Sequence, residues 1–127
     1  MSGNADLLSP SVLAFVGDAV YGLYVRTALS AVNRPSGELH RLSVKLVNAV
    51  AQAEGFEVIE SMLDEKELSV FKRGRNFHTN STPKHATKAQ YHTATGLETL
   101  FGYLYLSANT DRTDELFKHI WDAADIN

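Results

Sequence analysis

Leu13-Ala14-Phe15-Val16-Gly17-Asp18-Ala19-Val20-Tyr21-Gly22-Leu23-Tyr24-Val25 is apolar and small apart from one carboxylate. Ser9-Pro10 just ahead of it reads as an N-cap and a first helical residue. The stretch therefore predicts a helix from about Pro10 to Leu29. A helix that is apolar nearly all round is a buried one. On that reading Asp18 sits where an unpaired carboxylate costs roughly 3–5 kcal/mol. It needs a cation, a set of donors or water. A structural Asp bonded to a neighbouring helix and a functional Asp are equally open at this point.

A second stretch repeats the device. Thr95-Gly96-Leu97-Glu98-Thr99-Leu100-Phe101-Gly102-Tyr103-Leu104-Tyr105-Leu106 is again an apolar helical run with a single acid. In both, an aromatic follows the acid at i+3 (Tyr21, Phe101) and a glycine at i+4 (Gly22, Gly102). Positions i, i+3 and i+4 share one helix face. A glycine one turn from the acid lets another backbone come close, at a helix cost of about 1 kcal/mol. Two such helices can cross and bring Asp18 and Glu98 together. Converging carboxylates without a base between them repel, and a hard divalent cation with oxygen ligands relieves that repulsion. The same spacing also serves plain small-residue helix packing.

The 127 residues are read as one domain, with a length that supports a core but not a generous one. Hydrophobic residues at 44% and charged residues at 21% are ordinary for a soluble globular chain. The apolar runs are read as too short to span a bilayer, and they carry an acid, so no membrane partner is expected. The N-terminus lacks a basic region followed by an apolar signal segment. No cysteine is present, which excludes disulfides and thiolate chemistry and fits a cytoplasmic location. A net charge of -3 argues against a generic polyanion binder, so the distribution of charge matters more than its sum.

Residues 1–8 read as a short frayed lead-in. After the first helix, Val32-Asn33-Arg34-Pro35-Ser36-Gly37 is a loop, and Ser36 can cap the next helix. Leu39, Leu42, Leu46, Val47 and Val50 mark its buried stripe, with His40, Arg41 and Lys45 off it. Gly55 is read as a break before a third short helix carrying Phe56, Val58, Ile59, Met62 and Leu63. Asp64-Glu65-Lys66-Glu67 reads as a capping box opening a fourth helix that runs to about Gly74. A fifth helix is expected from about Thr87 to Ser107. Asn109-Thr110-Asp111 opens a last one, with Leu116, Phe117, Ile120 and Trp121 on its buried face. No β-alternation of useful length occurs, so the class is all-α, with about six or seven helices.

The charge pattern is most uneven between the fourth and fifth helices. Lys72, Arg73, Arg75, Lys84 and Lys88 are five of the twelve Lys and Arg, with His78, His85 and His92 in or just after the span. No acid occurs between Glu67 and Glu98. Phe77-His78-Thr79-Asn80-Ser81-Thr82-Pro83 reads as a loop inside this segment, expected to be mobile in the free protein. Lys and Arg neutralise phosphates and Asn, Ser and Thr donate to their oxygens, so the segment is a candidate phosphate contact. A merely solvated basic loop is the plainer alternative. The histidines do not have zinc-ligand spacing. No glycine-rich phosphate loop, nucleophile elbow or dinucleotide fingerprint is present.

Leu13 to Tyr21 resembles the signature helix of the ribonuclease III family, and Thr95 to Leu106 resembles that family's second metal-binding helix. Gly37 to Asn48 resembles the helix between them, and Arg73-Gly74-Arg75-Asn76 the family's basic turn. The resemblance runs from about Leu7 to Trp121 and leaves no room for a double-stranded-RNA-binding domain. It is therefore to the minimal subfamily, Mini-ribonuclease III. It implies a two-fold homodimer of ribonuclease III-type nuclease domains. The implied activity is Mg²⁺-dependent hydrolysis of double-stranded RNA leaving 5′-phosphate and 3′-hydroxyl ends, with Mn²⁺ as a substitute metal. The implied substrate is precursor large-subunit (23S) ribosomal RNA, with a ribosomal protein as helper. Asp18 and Glu98 match the metal ligands and catalytic acids, and Phe15 matches an aromatic at the dimer interface. Lys72, Arg73, Arg75, Asn76, Lys84, His85 and Lys88 are the expected RNA contacts. The chain departs from the family where acids are common elsewhere, at Ala14, Ser36 and Thr95. Thr95 would then orient a water. A non-catalytic RNA-binding module on the same fold is the alternative.

Overall fold

In the computed structural model the described residues are 2–77 and 84–126, with side chains described from Ala5 onward. The loop between His78 and Pro83, including the expectation that it is mobile, lies outside the described residues. Among the described residues six α-helices follow one another: α1 Pro10–Leu29, α2 Ser36–Leu46, α3 Ala49–Ile59, α4 Glu65–Arg75, α5 Lys88–Leu106 and α6 Thr110–Ala123. Short 3₁₀ segments cover Ser2–Leu7 and Glu60–Met62, and no strand occurs among the described residues. The chain is an all-α domain of the expected class.

Helix α5 is the axis. It packs against α1, α3, α4 and α6. Its apolar residues Leu97, Leu100 and Phe101 are wholly withdrawn from solvent. Around them Tyr21 meets Phe101 and Phe117 edge-on at ring centroid distances of 5.2 and 5.7 Å. Phe56 stacks on Phe71 at 3.7 Å. These aromatics come from α1, α3, α4, α5 and α6 and tie the helices together among the leucines, each burying a large area at a modest loss of rotamer freedom.

Local chemistry sets most helix ends. The Ser9 hydroxyl accepts from the Val12 amide and Pro10 opens α1. Asp64 and Glu67 form the capping box of α4 in both directions. Thr87 and Gln90 form a second box at α5. Helix α5 ends with Ala108 in the left-handed region (φ 58°), and the Asn109 amide reaches back to the Leu104 carbonyl at 2.9 Å.

Five expectations need correcting. Ser36 does not cap α2: Pro35 holds the N-cap position, Ser36 is the first helical residue, and no side chain caps this end. Gly55 does not break a helix. It lies inside α3, buried, in the space beside Ile120 and Tyr21. The break comes earlier, at Asn48, whose side chain accepts from the Ala51 amide at 2.9 Å and donates to the Val44 and Lys45 carbonyls. The lead-in is not frayed over its described part. Ala5 is buried, Asp6 pairs with Lys66 at 2.7 Å, and Arg73 donates to the Leu8 carbonyl at 2.9 Å. The apolar runs are not too short to span a bilayer: by length and composition α1 passes, with 20 residues and a mean hydropathy of 1.4 over its most apolar window.

Lastly, α1 is not buried all round. Leu13, Gly17, Val20, Tyr21, Gly22, Val25 and Leu29 face the core. Val12, Phe15 and Leu23 do not, and Phe15 is 81% exposed. A helix can put only one stripe against a single neighbouring layer. The remaining apolar positions of α1 are left on the outside.

Candidate active site

The site is made where α1 crosses α5. A Cβ placed on Gly17 would fall 1.6 Å from the Glu98 carbonyl oxygen, and one on Gly102 would fall 1.9 Å from the Leu13 carbonyl oxygen. The helices therefore touch backbone to backbone, which only glycine allows at these two positions. The sequence pattern assigned this role to Gly22 and Gly102. The structure assigns it to Gly17 and Gly102, since a Cβ on Gly22 would meet only the Arg26 guanidinium at 3.1 Å. The residue after Gly17 is Asp18, and the Gly17 contact is with Glu98 itself. The crossing thus brings the two acids together.

The pair is asymmetric. Asp18 is exposed, contrary to the expectation that its helix hides it, because it lies at the edge of the buried stripe. Glu98 is half-buried. Burial pushes the Glu98 carboxyl up to about 8. The negative charge of Asp18 and a hydrogen bond between the two acids push the same way. A hydrogen bond from Gln52 opposes them in part. That bond runs from Gln52 Nε2 on α3 to Glu98 Oε2 at 3.3 Å. No salt bridge to Asp18 or Glu98 occurs among the described residues, whereas Glu67 on α4 has Arg112 at 2.7 Å. Asp18 and Glu98 are not joined by a third Asp, Glu, His or Cys within the described residues.

Thr95 precedes Glu98 by three residues and so shares its face of α5. Its hydroxyl donates to the Tyr91 carbonyl at 3.0 Å, which leaves its oxygen able to accept.

The basic residues fall into separate groups. Lys72, Arg73 and Asn76 share a shallow groove on one side of α4 with Glu65, Leu68 and Ser69. Arg75 turns elsewhere: its guanidinium sits 5.8 Å from the Phe71 ring centre and donates to Asn76 Oδ1 at 3.1 Å. Lys84, His85 and Lys88 are exposed at the approach to α5. The space of a Cβ on Gly74, between Arg73 and Arg75, is filled by Thr99 at 2.1 Å. The basic end of α4 therefore packs on α5 beside Glu98.

Gln52 was not singled out by the sequence reading. The available signal was one uncharged polar residue inside Ala49–Phe56, otherwise made of Ala, Val, Gly and Phe with one Glu.

The geometry offers two carboxylates as oxygen ligands, one solvent-facing and one half-buried, with a neutral amide donating to the second. Such a set suits a hard divalent cation better than zinc, which prefers nitrogen and sulfur. The sequence profile of the Ribonuclease III domain matches residues 11–109. A Mini-ribonuclease 3 from a Thermoanaerobacter species is 47% identical over 112 residues, covering 87% of this chain and 79% of that one. The Mini-ribonuclease 3 of Streptococcus pneumoniae is 37% identical over 117 residues, covering 89% and 91%. A crystal structure of a Fusobacterium nucleatum protein superposes with a TM-score of 0.83 at 28% identity, covering 90% of this chain and 92% of that one.

Proposed function

The chain belongs to the ribonuclease III family, and from that premise we propose that it is a Mg²⁺-dependent endoribonuclease acting on double-stranded RNA through Asp18 and Glu98. The observation that carries this reading is the meeting of two carboxylates at the Gly17–Gly102 crossing, with no salt bridge to either among the described residues. Asp18 and Glu98 would hold the cation, with water and an RNA phosphate completing an oxygen shell. Mg²⁺ supplies positive charge at the scissile phosphate and makes water more acidic, and Mn²⁺ is a substitute of like preference.

The protein's own groups bind and orient. Lys72, Arg73, Asn76, Arg75, Lys84, His85 and Lys88 are the proposed backbone contacts of an A-form duplex, read by shape and 2′-hydroxyls. Arg73 would divide its guanidinium between RNA and the Leu8 carbonyl. Thr95 would accept from a water beside Glu98. Products would carry 5′-phosphate and 3′-hydroxyl ends. The proposed substrate is a stem in precursor large-subunit ribosomal RNA in the cytoplasm, with a ribosomal protein as helper.

The exposed row Val12, Phe15 and Leu23 on α1 supports a two-fold homodimer, each protomer cutting one strand. Phe15→Asp would shift the sedimenting species to monomer.

The decisive experiment is cleavage of a long RNA duplex with Mg²⁺, alongside a binding assay, for wild type, Asp18→Asn and Glu98→Gln. Wild type is expected to cut, and both variants to bind RNA without cutting. Binding without any cleavage by wild type, on a ribosomal precursor as well, would make the chain an RNA-binding module that has kept the fold.

A further inference from the structure

Four polar or charged side chains are fully buried among the described residues: Gln52, Glu67, Thr99 and Thr113. Three have evident structural partners. Thr99 donates to the Thr95 carbonyl one turn back in α5 at 2.7 Å, and Thr113 to the carbonyl of Asn109, the N-cap of α6, at 3.0 Å. Glu67 is paired with Arg112. Gln52 differs from these. It is 3% exposed, and it reaches from α3 across to the Glu98 carboxylate on α5. The other polar residues of α3, Glu54 and Glu57, are exposed.

We propose that Gln52 is a positioning residue for Glu98: its amide fixes the carboxylate in the orientation in which it meets Asp18 and a divalent cation. The inference rests on the metal-site reading of Asp18 and Glu98. The residue type fits the task. A lysine or arginine at this place would neutralise Glu98 and compete with the cation. An alanine would leave the carboxylate free to rotate about its last torsion, which is broad and weakly preferred. A neutral amide holds the carboxylate without cancelling its charge. The amide is itself held, because Asn48 ties the start of α3 to the end of α2 through three hydrogen bonds, one turn before Gln52. Ligand-supporting hydrogen bonds of this kind are typically worth 10–100-fold in metal affinity.

The test is Mn²⁺ binding by titration calorimetry on the full chain, for wild type, Gln52→Met, Gln52→Ala, Asp18→Asn and Glu98→Gln. Gln52→Met keeps the volume and removes the donor. Gln52→Ala is the smaller fallback if methionine does not fit. Both Gln52 variants are expected to weaken Mn²⁺ binding roughly tenfold or more. Their metal-free melting should stay near that of wild type. Their kcat should fall while KM for an RNA duplex holds. Wild-type Mn²⁺ affinity in a folded Gln52 variant would overturn the positioning role. So would the failure of both variants to fold, which would make Gln52 a core residue. If Asp18→Asn and Glu98→Gln lose Mn²⁺ binding while the Gln52 variants keep it, the role of Gln52 alone falls. If the two acid variants keep it, the metal site itself falls.

Discussion

Glu67 and Glu98 are both carboxylates drawn out of bulk water, on neighbouring helices, and their surroundings are opposite. Glu67 on α4 receives the Arg112 side chain through two hydrogen bonds of 2.7 and 2.8 Å and the Asp64 amide at 3.0 Å. Arg112 also donates to the Met62 carbonyl, so α6 is latched to the start of α4. Burial alone would push the Glu67 carboxyl up, but Arg112 and the Asp64 amide outweigh it and hold it below the usual range. Glu98 on α5 meets an amide and a second acid, and is pushed up to about 8. A carboxylate that serves only the fold looks like Glu67: its charge is answered within the chain. Among the described residues Glu98 has no such answer, in a fold that supplies an arginine to Glu67.

The sharpest way to break this contrast is to unpair Glu67. Arg112→Met is expected to lower unfolding free energy by about 3–5 kcal/mol, because it leaves a buried acid without its partner. Urea denaturation at pH 7 measures it. A loss under about 1 kcal/mol would mean that the latch is ornamental and the contrast with Glu98 is empty.

Next in size is Glu98→Gln, with the opposite sign. A carboxyl raised in the folded state lowers stability progressively as pH rises from the unfolded value near 4.3 towards the folded value. Removing it should raise metal-free stability by roughly 1–3 kcal/mol at pH 8. It should also flatten the decline between about pH 4.5 and 8. Glu67 works the other way, its contribution being full above about pH 4.3 and lost as pH falls through its lower folded value. Melting curves across pH for Glu98→Gln and Glu67→Gln should therefore lose slope on opposite sides. Identical profiles would contradict the distinction.

The smallest expected effect is a control remote from both charges. Ala108→Gly should gain about 0.5–1 kcal/mol, since Ala108 holds a left-handed conformation that suits glycine. The gain should be the same at pH 5 and pH 8. A pH-dependent gain would show that α5 transmits strain to Glu98, and would blur the comparison.

Features written in short-range chemistry were legible in the sequence. The start of α1 follows from Ser9 and Pro10, and the start of α4 from Asp64 and Glu67. The approach of Asp18 to Glu98 was legible as one of two readings of the matched acid-and-glycine spacing, with Gly22 taken for the contact that Gly17 makes. Asn48 was missed because Val47 and Val50 carry the apolar stripe straight across the α2–α3 junction, so periodicity hid the cap. Gly55 misled because a glycine's local helix cost of about 1 kcal/mol argued for a break. The space beside Ile120 and Tyr21, a tertiary fact, outweighed that cost. Gln52 and Arg112 lie 46 and 45 residues from their partners, and no local pattern points to either.

The Gly17–Gly102 crossing has a mechanical consequence. Side-chain packing is a cushion, since rotamers can shift and absorb a displaced helix. At this crossing no side chain stands between the two backbones, so the contact is a hard stop. Helix α1 cannot ride closer to α5, and tilting it pivots about a point one residue from Asp18. The spacing of the two acids is thus fixed by a backbone-to-backbone contact, while the apolar outer face of α1 stays free to be leaned on.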